Sequence, residues 1–285
     1  MRWIEPCADS SLGKGWDMQQ WQSEMLRCPF DREQLLAGEG KIRCSECQRT
    51  FPIVDGIPSF VLHDLATAHE REEWLRKQSE MQARDAQASQ YDRLLGLLLM
   101  SPVETRMTLR ALRGESGRFN VLAEIGCGTG RMLQHFAALA DFTIGVDFSL
   151  QSLRLCRQRM QQAGFLEKTL LIHADACFLP LADETLDAVA SCQLVEHLPS
   201  DRLRRQVLAD MSRVLKPGGR YAISGYHWSW LTRWGASKQG MHPGGIYYYR
   251  FTRKEFHDLV SKHLPVESLR SVLGYVWLAS GSKET

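Results

Sequence analysis

Three glycines at alternate positions, directly after a buried strand pattern, constrain this chain more than any other feature. Residues 121–133 read VLAEIGCGTGRML, and Gly126, Gly128 and Gly130 close an apolar run. Glycine allows a tight strand-to-helix turn and lets a ligand approach the backbone closely. The dinucleotide fingerprint G-x-G-x-x-G is not matched, because Arg131 stands where that pattern requires its third glycine. The stretch predicts a ligand-binding turn or, alternatively, a turn with no ligand.

Short apolar runs alternate with amphipathic segments from this point to the end of the chain. This alternation predicts an α/β fold, a Rossmann-like and mostly parallel sheet with helices on both faces. Two closely spaced final runs predict an antiparallel hairpin at one edge, which makes seven strands in all. Strands before that hairpin are predicted at 119–126, 142–149, 169–176, 186–193 and 219–226. Helices are predicted at 130–140, 150–164 and 200–215, with N-caps at Ser149 and Ser200, and a capping box joins Thr252 to Glu255.

Composition is that of an ordinary globular chain. Of 285 residues, 44% are hydrophobic and 24% charged, and the net charge of +2 singles out neither nucleic acid nor a membrane. The longest apolar run, LLGLLLM, is too short to span a bilayer, and the N-terminus has no apolar signal core. We therefore expect a cytoplasmic location.

The chain divides into four expected segments. They are a loose N-terminal arm at 1–24, a zinc-ribbon-like module at 25–62, a connector with cofactor-closing helices at 63–113, and a main domain at 114–285.

The main domain resembles the class I S-adenosylmethionine (SAM)-dependent methyltransferases, with a type 11 methyltransferase-like domain. The stretch EIGCGTG fits their motif E/D-x-G-x-G-x-G, and GVDFS, HADACFLPLADETLDAV, SCQLVEHLP and VLKPGGRYAIS follow in the family's order. The resemblance implies SAM as cofactor, with Asp147 holding the ribose hydroxyls and Asp175 near the adenine amino group. The full implied cofactor set is Glu124, Gly126, Cys127, Gly128, Gly130, Asp147, Phe148, Asp175, Ala176, Gln193 and Tyr91. Asp147 taken alone also fits a charge at a helix N-terminus.

Methyl transfer by this family requires few catalytic side chains. The sulfonium of SAM is an activated methyl donor, so positioning supplies most of the acceleration, and a base is needed only for some acceptors. His197 and His227 are the first candidates for that base, although His197 also fits a structural role. Further candidates are Glu196, Tyr226 and His242.

The methyl acceptor is expected to contact residues 226–254, which are rich in aromatic and basic side chains. Such a segment suits a lid over a small molecule, an RNA grip, or simple packing of the sheet edge. A small molecule or a lipid-like envelope precursor is favoured. The alternatives are an rRNA or tRNA base, and a non-catalytic protein that binds SAM or activates a partner. No tetrapeptide of the N-P-P-Y type follows the fourth strand, which weakens the case for amino-group methylation of adenine or glutamine.

Residues 25–62 resemble the small zinc-ribbon-like domain of tRNA and rRNA methyltransferase activator subunits, as RCP, C-x-x-C and FPIVDGIP indicate. The first C-x-x-C pair is incomplete, because Asp31 replaces its second cysteine. Zinc accepts a carboxylate oxygen, so Cys28, Asp31, Cys44 and Cys47 form a possible zinc site. Cys7 or His63 is an alternative fourth ligand, and a ribbon without metal is the other alternative. A protein partner of this module is possible.

Overall fold

The computed structural model of the chain describes residues 20–38, 40–61, 78–86, 88, 95–113, 117–229, 237–242 and 244–284. The strands that it contains are β1 Leu35–Gly38, β2 Lys41–Cys44, β3 Thr50–Val54, β4 Ile57–Pro58, β5 Phe119–Ile125, β6 Ala140–Asp147, β7 Thr169–His173, β8 Leu186–Ser191, β9 Leu215–Tyr226, β10 Gln239–Met241, β11 Tyr247–Tyr249, β12 Ser268–Val272 and β13 Val276–Ser282.

The helices of the described residues connect these strands. They are α1 Gln20–Met25, α2 at 78–86, α3 Leu95–Arg113, α4 Leu133–Phe136, α5 Leu150–Gln162, α6 Asp201–Val214 and α7 Arg253–Val260, with 3-10 turns at Leu166–Lys168 and Val195–His197. None of these helices combines the length and the apolar character that crossing a bilayer requires.

One seven-stranded sheet forms the body of the molecule, in the order β12-β13-β9-β8-β5-β6-β7. Strands β5 to β9 pair in parallel, whereas β13 runs antiparallel between β9 and β12. Strand β5 is almost entirely buried, as expected for a central strand covered on both faces. The predicted α/β fold with its antiparallel edge hairpin is confirmed.

The helix caps form where the sequence places them. The Ser149 and Ser200 side chains accept from the amides of Ser152 and Leu203. A reciprocal capping box joins Thr252 and Glu255 at the start of α7. These caps satisfy amides that have no partner inside the helix, and they fix where each helix leaves the sheet.

The helix predicted at 130–140 is much shorter than expected, because α4 is a single turn, Leu133–Phe136. Lys168 explains where the helix stops: its Nζ donates to the carbonyl oxygens of Ala137 and Ala140, at 2.5 and 2.9 Å. These carbonyls are satisfied without a further helical turn, so the chain enters β6 directly.

The ribbon module, residues 25–62, packs directly on the sheet rather than standing apart. Its strands β1 to β4 pair antiparallel, and Ser59, just after β4, bridges in parallel to His173 at the end of the edge strand β7. Leu26, Phe51 and Phe60 of the module belong to the same buried apolar cluster as the sheet residues Ile144 and Ile172. The module thus shares one core with the sheet and covers its β7 edge.

Candidate functional site

A cavity opens at the carboxyl ends of the parallel strands, where β5 has β6 on one side and β8 on the other. Ligands of open α/β sheets bind at this point of strand-order reversal. The side chains and backbone that line the cavity come from Glu80, Arg84, Ala88, Glu124, Gly126, Cys127, Gly128, Thr129, Arg131, Met132, Val146, Asp147, Phe148, Ser149, Ser152, Ala174, Asp175, Ala176, Cys192, Gln193, Leu194, His197 and Leu198. Of the predicted cofactor residues that the structure describes, all except Gly130 are in this set.

The glycine loop needs glycine for two different reasons. All three glycines have left-handed backbones, with φ of +78° at Gly126, +52° at Gly128 and +77° at Gly130. A Cβ on Gly130 would lie 2.5 Å from the sulfur of Cys156, so this position packs on α5. A Cβ on Gly128 would meet nothing within 4 Å, and it belongs to the cavity wall. Gly128 therefore leaves the backbone bare toward the cavity.

Asp147 ties the glycine loop to the start of α5. Its two carboxylate oxygens accept from the Gly128 amide at 2.7 Å and from the Ser149 amide at 2.8 Å. Burial raises the pKa of this carboxyl, and these two amides act against that rise. The sequence left two roles open for Asp147, a charge at a helix N-terminus and a cofactor-binding residue. In the structure its side chain lies at the N-terminus of α5 and also lines the cavity.

The floor beside β7 carries a second carboxylate. Asp175 Oδ1 accepts from the Cys177 amide at 2.9 Å, and Ala176 follows it with a buried backbone. On the other side, the carbonyl oxygen of Phe148 lies 3.1 Å from His173 Nε2. These contacts fix the turn after β7 against the turn after β6.

Two buried acceptor oxygens at the cavity have no hydrogen-bond partner among the described residues. They are Glu124 Oε2 and Gln193 Oε1, on side chains whose residues are 2% and 6% exposed. A buried acceptor without a donor costs free energy, so such atoms in a cavity indicate a ligand that donates. Desolvation raises the pKa of Glu124 well above its ordinary value, while the charge of Arg131 opposes the rise.

Of the two histidines first predicted as bases, the structure brings only His197 to the cavity. Its Nδ1 lies 2.7 Å from the carbonyl oxygen of Tyr247, so Nδ1 carries the proton and Nε2 is the ring nitrogen that can accept one. Burial, helped by the charge of Arg84, lowers the pKa of His197 well below its usual value. His227 packs instead on Trp277, with ring centroids 3.8 Å apart, and its Nδ1 lies 3.2 Å from Ser271 Oγ.

The remaining base candidates, Tyr226, His242 and Glu196, lie around His197 but are not among the residues that line the cavity. The rings of Tyr226 and His242 have centroids 5.6 and 6.0 Å from that of His197. Glu196 is fully buried, and neither of its carboxylate oxygens has a partner in the described part of the chain. Burial raises the pKa of Glu196 to about 8, so this group is mostly protonated at neutral pH.

Helix α2 supplies cavity residues that were not predicted, Glu80 and Arg84, with Ala88 just beyond its end. Its Asp85 accepts from Ser149 Oγ and from the Gln151 amide, which attaches α2 to the start of α5. The amphipathic pattern predicted a closing helix in this region, but the pattern does not tell which polar residues face inward. The predicted cofactor residue Tyr91 lies outside the described residues, as do Cys7 and His63.

The ribbon module brings Cys28, Asp31, Cys44 and Cys47 together, with ligand atoms all within 4.8 Å of one another. The sulfurs of Cys28 and Cys47 are 3.7 Å apart, and Cys44 Sγ lies 3.4 Å from both Asp31 oxygens. Two thiolates on a tetrahedral zinc with bonds of about 2.3 Å stand roughly 3.8 Å apart. Three sulfurs and one carboxylate thus fit a zinc ion in both donor type and spacing.

Two family models match separate parts of the chain. The model of the methyltransferase domain matches residues 123–223, which contain the glycine loop, Asp147, Asp175 and His197. Residues 123–223 form a methyltransferase domain. The model of the Trm112p-like proteins matches residues 23–56, which include all four candidate zinc ligands. The predicted resemblance, a class I methyltransferase behind a ribbon of the activator type, is confirmed.

Relatives of the methyltransferase domain vary in what they act on. The chain is 34% identical over 102 residues to the methyltransferase GfsG of Streptomyces halstedii, covering 35% of this chain and 36% of that protein. It is 31% identical over 110 residues to the probable tRNA methyltransferase 9B of Homo sapiens, covering 39% of this chain and 22% of the human protein. The chain therefore spans about a third or less of the length of these two relatives.

Solved structures share the fold. A Burkholderia thailandensis 1,6-didemethyltoxoflavin-N1-methyltransferase, solved with 1,6-didemethyltoxoflavin and S-adenosylhomocysteine, matches with a TM-score of 0.57 and 20% identity, over 85% of this chain and 98% of that chain. A complex of the Haloferax volcanii Trm112 methyltransferase activator with a methyltransferase matches with a TM-score of 0.56 and 17% identity, over 71% of this chain and 98% of that one.

Proposed function

We propose that this protein transfers a methyl group from SAM to a small-molecule acceptor. One observation carries the proposal: the cavity at the strand-order reversal combines a bare glycine backbone with buried acceptors that have no partner in the described chain. SAM offers donors to such a site through its ribose hydroxyls, its adenine amino group and its ammonium group. The acceptor groups of the cavity and the donor groups of this cofactor are therefore complementary.

The residues proposed to hold SAM divide by strand end. Asp147 at the end of β6 would accept from the ribose hydroxyls, because a carboxylate has about four acceptor sites and the Gly128 and Ser149 amides occupy two of them. Asp175 and the backbone of Ala176, after β7, would contact the adenine. Glu124 and Gln193, at the ends of β5 and β8, would surround the methionine portion. The remaining proposed contacts are the glycine loop with Cys127, and Phe148.

His197 is proposed as the general base that receives the acceptor's proton. When bound, SAM supplies an activated methyl group on a positive sulfur. The chain's own contribution is to align the acceptor, exclude water and take a proton at His197 Nε2. The bond from Nδ1 to Tyr247 leaves Nε2 unprotonated at neutral pH. A hydroxyl is the acceptor that most needs such a base, so we propose O-methylation.

A small acceptor suits the surroundings of His197. Aromatic and imidazole rings of Tyr226, His242 and Tyr248 stand in sequence beside it, with successive centroids 4.5 to 6.0 Å apart. Rings arranged in this way supply flat apolar walls with a few polar tips, which is typical of small-molecule sites. His227 lies outside the cavity lining and takes no part in the proposed reaction.

The ribbon module is proposed to bind one zinc ion and to support the methyltransferase domain within the same chain. The support comes from the shared core, from the Ser59–His173 bridge, and from an Asp55–Arg154 ion pair of 2.8 Å. In this proposal the module acts on the domain that it covers, and a separate protein partner is not required.

RNA is the second candidate acceptor, and three observations favour it. The ribbon module matches the Trm112p-like model, and the human relative is named as a probable tRNA methyltransferase. The module also exposes Phe30, which is 42% exposed, with the Arg49 guanidinium 3.9 Å above its ring. An exposed ring with a cation is a feature on which a nucleic-acid base can stack.

Transfer of labelled methyl from SAM into cell extract distinguishes these candidates. The extract is separated into RNA, protein and organic-soluble fractions after incubation with the wild-type protein or with Asp147→Ala as the blank. Label in the organic-soluble fraction is expected. Label in RNA that disappears on ribonuclease treatment would replace the small-molecule proposal with the RNA one, and no label in any fraction would contradict methyl transfer.

A further inference from the structure

Glu104, on helix α3, lies at the centre of a buried hydrogen-bond network that reaches the cavity. The residue is 1% exposed and was not singled out by any sequence motif. Its Oε2 accepts from Gln193 Nε2 at 2.7 Å, and its Oε1 accepts from Ser224 Oγ at 2.9 Å. A guanidinium nitrogen of Arg131 lies 3.5 Å from Oε2. The middle of helix α3, the turn after β8 and strand β9 therefore meet at one carboxylate.

The network fixes which way the Gln193 amide faces. Ser224 Oγ accepts from the Gln193 backbone amide at 3.2 Å, so its own proton goes to Glu104. Glu104 accepts from the Ser224 hydroxyl and from the Gln193 side chain, and only the NH₂ group of an amide side chain can donate. Gln193 must therefore turn its NH₂ group to Glu104, and its carbonyl oxygen takes the opposite direction.

The backbone of Gln193 is also held by this network. Its φ is +59°, a left-handed conformation that is uncommon for residues other than glycine, asparagine and aspartate. Ser224 binds the amide of this residue and Glu104 binds the side chain, so both ends are fixed from one carboxylate. Strain of this kind persists where neighbouring contacts over-determine the conformation, and it concentrates at functional sites.

The free oxygen of Gln193 faces a part of the cavity that favours a donor with positive charge. Gln193 Oε1 and Glu124 Oε2 are the buried cavity atoms without partners among the described residues, and both are oxygens. The Arg131 charge next to them is balanced by Glu104, and its NH1 donates to Ser101 Oγ at 2.6 Å. An ammonium group would satisfy these oxygens.

We infer that Glu104 is a positioning residue that orients Gln193 Oε1 to accept from the α-ammonium of SAM. The inference rests on the proposed function and adds to it a specificity device for the amino-acid end of the cofactor. Glu104 itself is not part of the cavity lining. It acts through Gln193, and its removal frees the amide to rotate and to present either its oxygen or its NH₂ group.

Calorimetric titration with two ligands tests this inference. The ligands are S-adenosylhomocysteine (SAH) and its des-amino analogue, which retains the carboxylate but has no ammonium group. The wild-type protein is expected to bind SAH about tenfold more tightly than the analogue, as for a hydrogen bond to a charged group. In Glu104→Ala and in Gln193→Asn the ratio is expected to fall below about threefold. Asparagine accepts the left-handed backbone of position 193 but is too short to bridge.

Two further variants keep the test independent of folding. Glu104→Gln can still accept from Gln193, so it should keep part of the preference for SAH over the des-amino analogue. Ser224→Ala removes one hydrogen bond of the network and should lower that preference modestly. The double variant Glu104→Ala with Gln193→Asn should bind SAH no more weakly than Gln193→Asn alone. Equal weakening of SAH and the analogue in Glu104→Ala would overturn the inference. Failure of the wild-type protein to bind either ligand would instead contradict the proposed function.

Discussion

His197 Nδ1 donates to the carbonyl oxygen of Tyr247 across 2.7 Å. This bond connects the turn after β8, which lines the cavity, with strand β11. Strand β11 belongs to the segment expected to hold the acceptor. The proton on Nδ1 makes Nε2 the basic nitrogen, in the way that a backbone carbonyl fixes the tautomer of many functional histidines. The orientation of the proposed base and the position of the acceptor segment are thus set by one contact.

Replacement of this histidine tests its role as the base. In His197→Asn the amide nitrogen can still donate to Tyr247, but nothing takes the place of Nε2. We expect kcat to fall by roughly 10²–10⁴, the usual contribution of a general base, while SAH affinity stays within about threefold. Because burial lowers the pKa of His197, the acid limb of the kcat/KM profile should lie well below pH 6.5 in the wild-type protein.

The second sequence candidate serves as the matched control. His227→Asn changes a histidine that packs on Trp277 outside the cavity lining, and we expect its kcat within about twofold of the wild-type value. A large loss in His227→Asn together with normal kcat in His197→Asn would reverse the assignment.

The glycine loop gives a prediction that separates binding from stability. Gly128→Ala and Gly164→Ala both place an alanine in a left-handed backbone with open space around the Cβ, so each should cost about 1 kcal/mol of unfolding free energy. Of these two glycines, Gly128 lines the cavity and Gly164 does not. SAH affinity, measured by calorimetry, should fall more than about tenfold in Gly128→Ala and stay unchanged in Gly164→Ala.

Gly130→Ala should behave differently from both. Its Cβ would lie 2.5 Å from the Cys156 sulfur, so overpacking adds roughly 1–3 kcal/mol to the backbone strain. Adding Cys156→Ala removes that sulfur and should recover part of the lost stability in urea denaturation. No recovery in the double variant would mean that backbone strain alone accounts for the glycine.

Glu196 predicts a pH dependence of stability. Its folded pKa of about 8 lies above its ordinary value of 4.5, so between these values the folded state binds a proton that the unfolded state has released. The stability from this group is fully present below pH 4.5 and is lost as the pH rises toward 8, by at most about 1.4 kcal/mol per pH unit. Glu196→Gln cannot ionise and should lack this loss.

The measurement is the difference in unfolding free energy between Glu196→Gln and the wild-type protein at pH 5, 6, 7 and 8. The unfolding free energy of Glu196→Gln should increase relative to that of the wild-type protein as the pH rises from 5 to 8. A difference that is constant across the four pH values would show that Glu196 keeps an ordinary pKa in the folded protein.

The ribbon module yields a prediction about metal. Mass spectrometric metal analysis after purification without chelators should find about one zinc per chain, held by Cys28, Asp31, Cys44 and Cys47. Because the module and the sheet share one buried cluster, removal of zinc should lower the Tm of the whole chain in a single transition. Asp31→Cys, which completes the first C-x-x-C pair, should retain zinc at higher chelator concentrations than the wild-type protein.

An independent early transition for the module on zinc removal would contradict the shared core. The absence of zinc in both the wild-type protein and Asp31→Cys would favour a ribbon that needs no metal.

Local patterns were sufficient to predict the strands along the chain, the helix caps and the glycine loop. A buried strand shows itself in the pattern of consecutive residues, and each helix cap is a contact between residues three positions apart. The caps at Ser149, Ser200 and Thr252 could therefore be predicted from spacing alone. Helix α4 was predicted too long because the cation that binds the carbonyl just after it, Lys168, is 31 residues further along the chain.

Long-range contacts account for what the sequence could not predict at the site. His197 and His227 have equally suggestive positions after strands, and only tertiary packing sends one to the cavity and the other to Trp277. Glu104 belongs to a helix whose sequence carries no motif, and its role depends on contacts to residues about 90 and 120 positions away. The docking of the ribbon module on β7 depends likewise on the pairing of Ser59 with His173.

Calorimetric titration of the full chain with SAH tests the central claim most directly, with Asp147→Ala as the comparison. The wild-type protein is predicted to bind one SAH per chain. The variant is predicted to lose on the order of 2–4 kcal/mol of binding free energy, because a charge-assisted pair of hydrogen bonds to the ribose is removed. No binding of SAH to the wild-type protein, or equal affinity in the two proteins, would contradict the account.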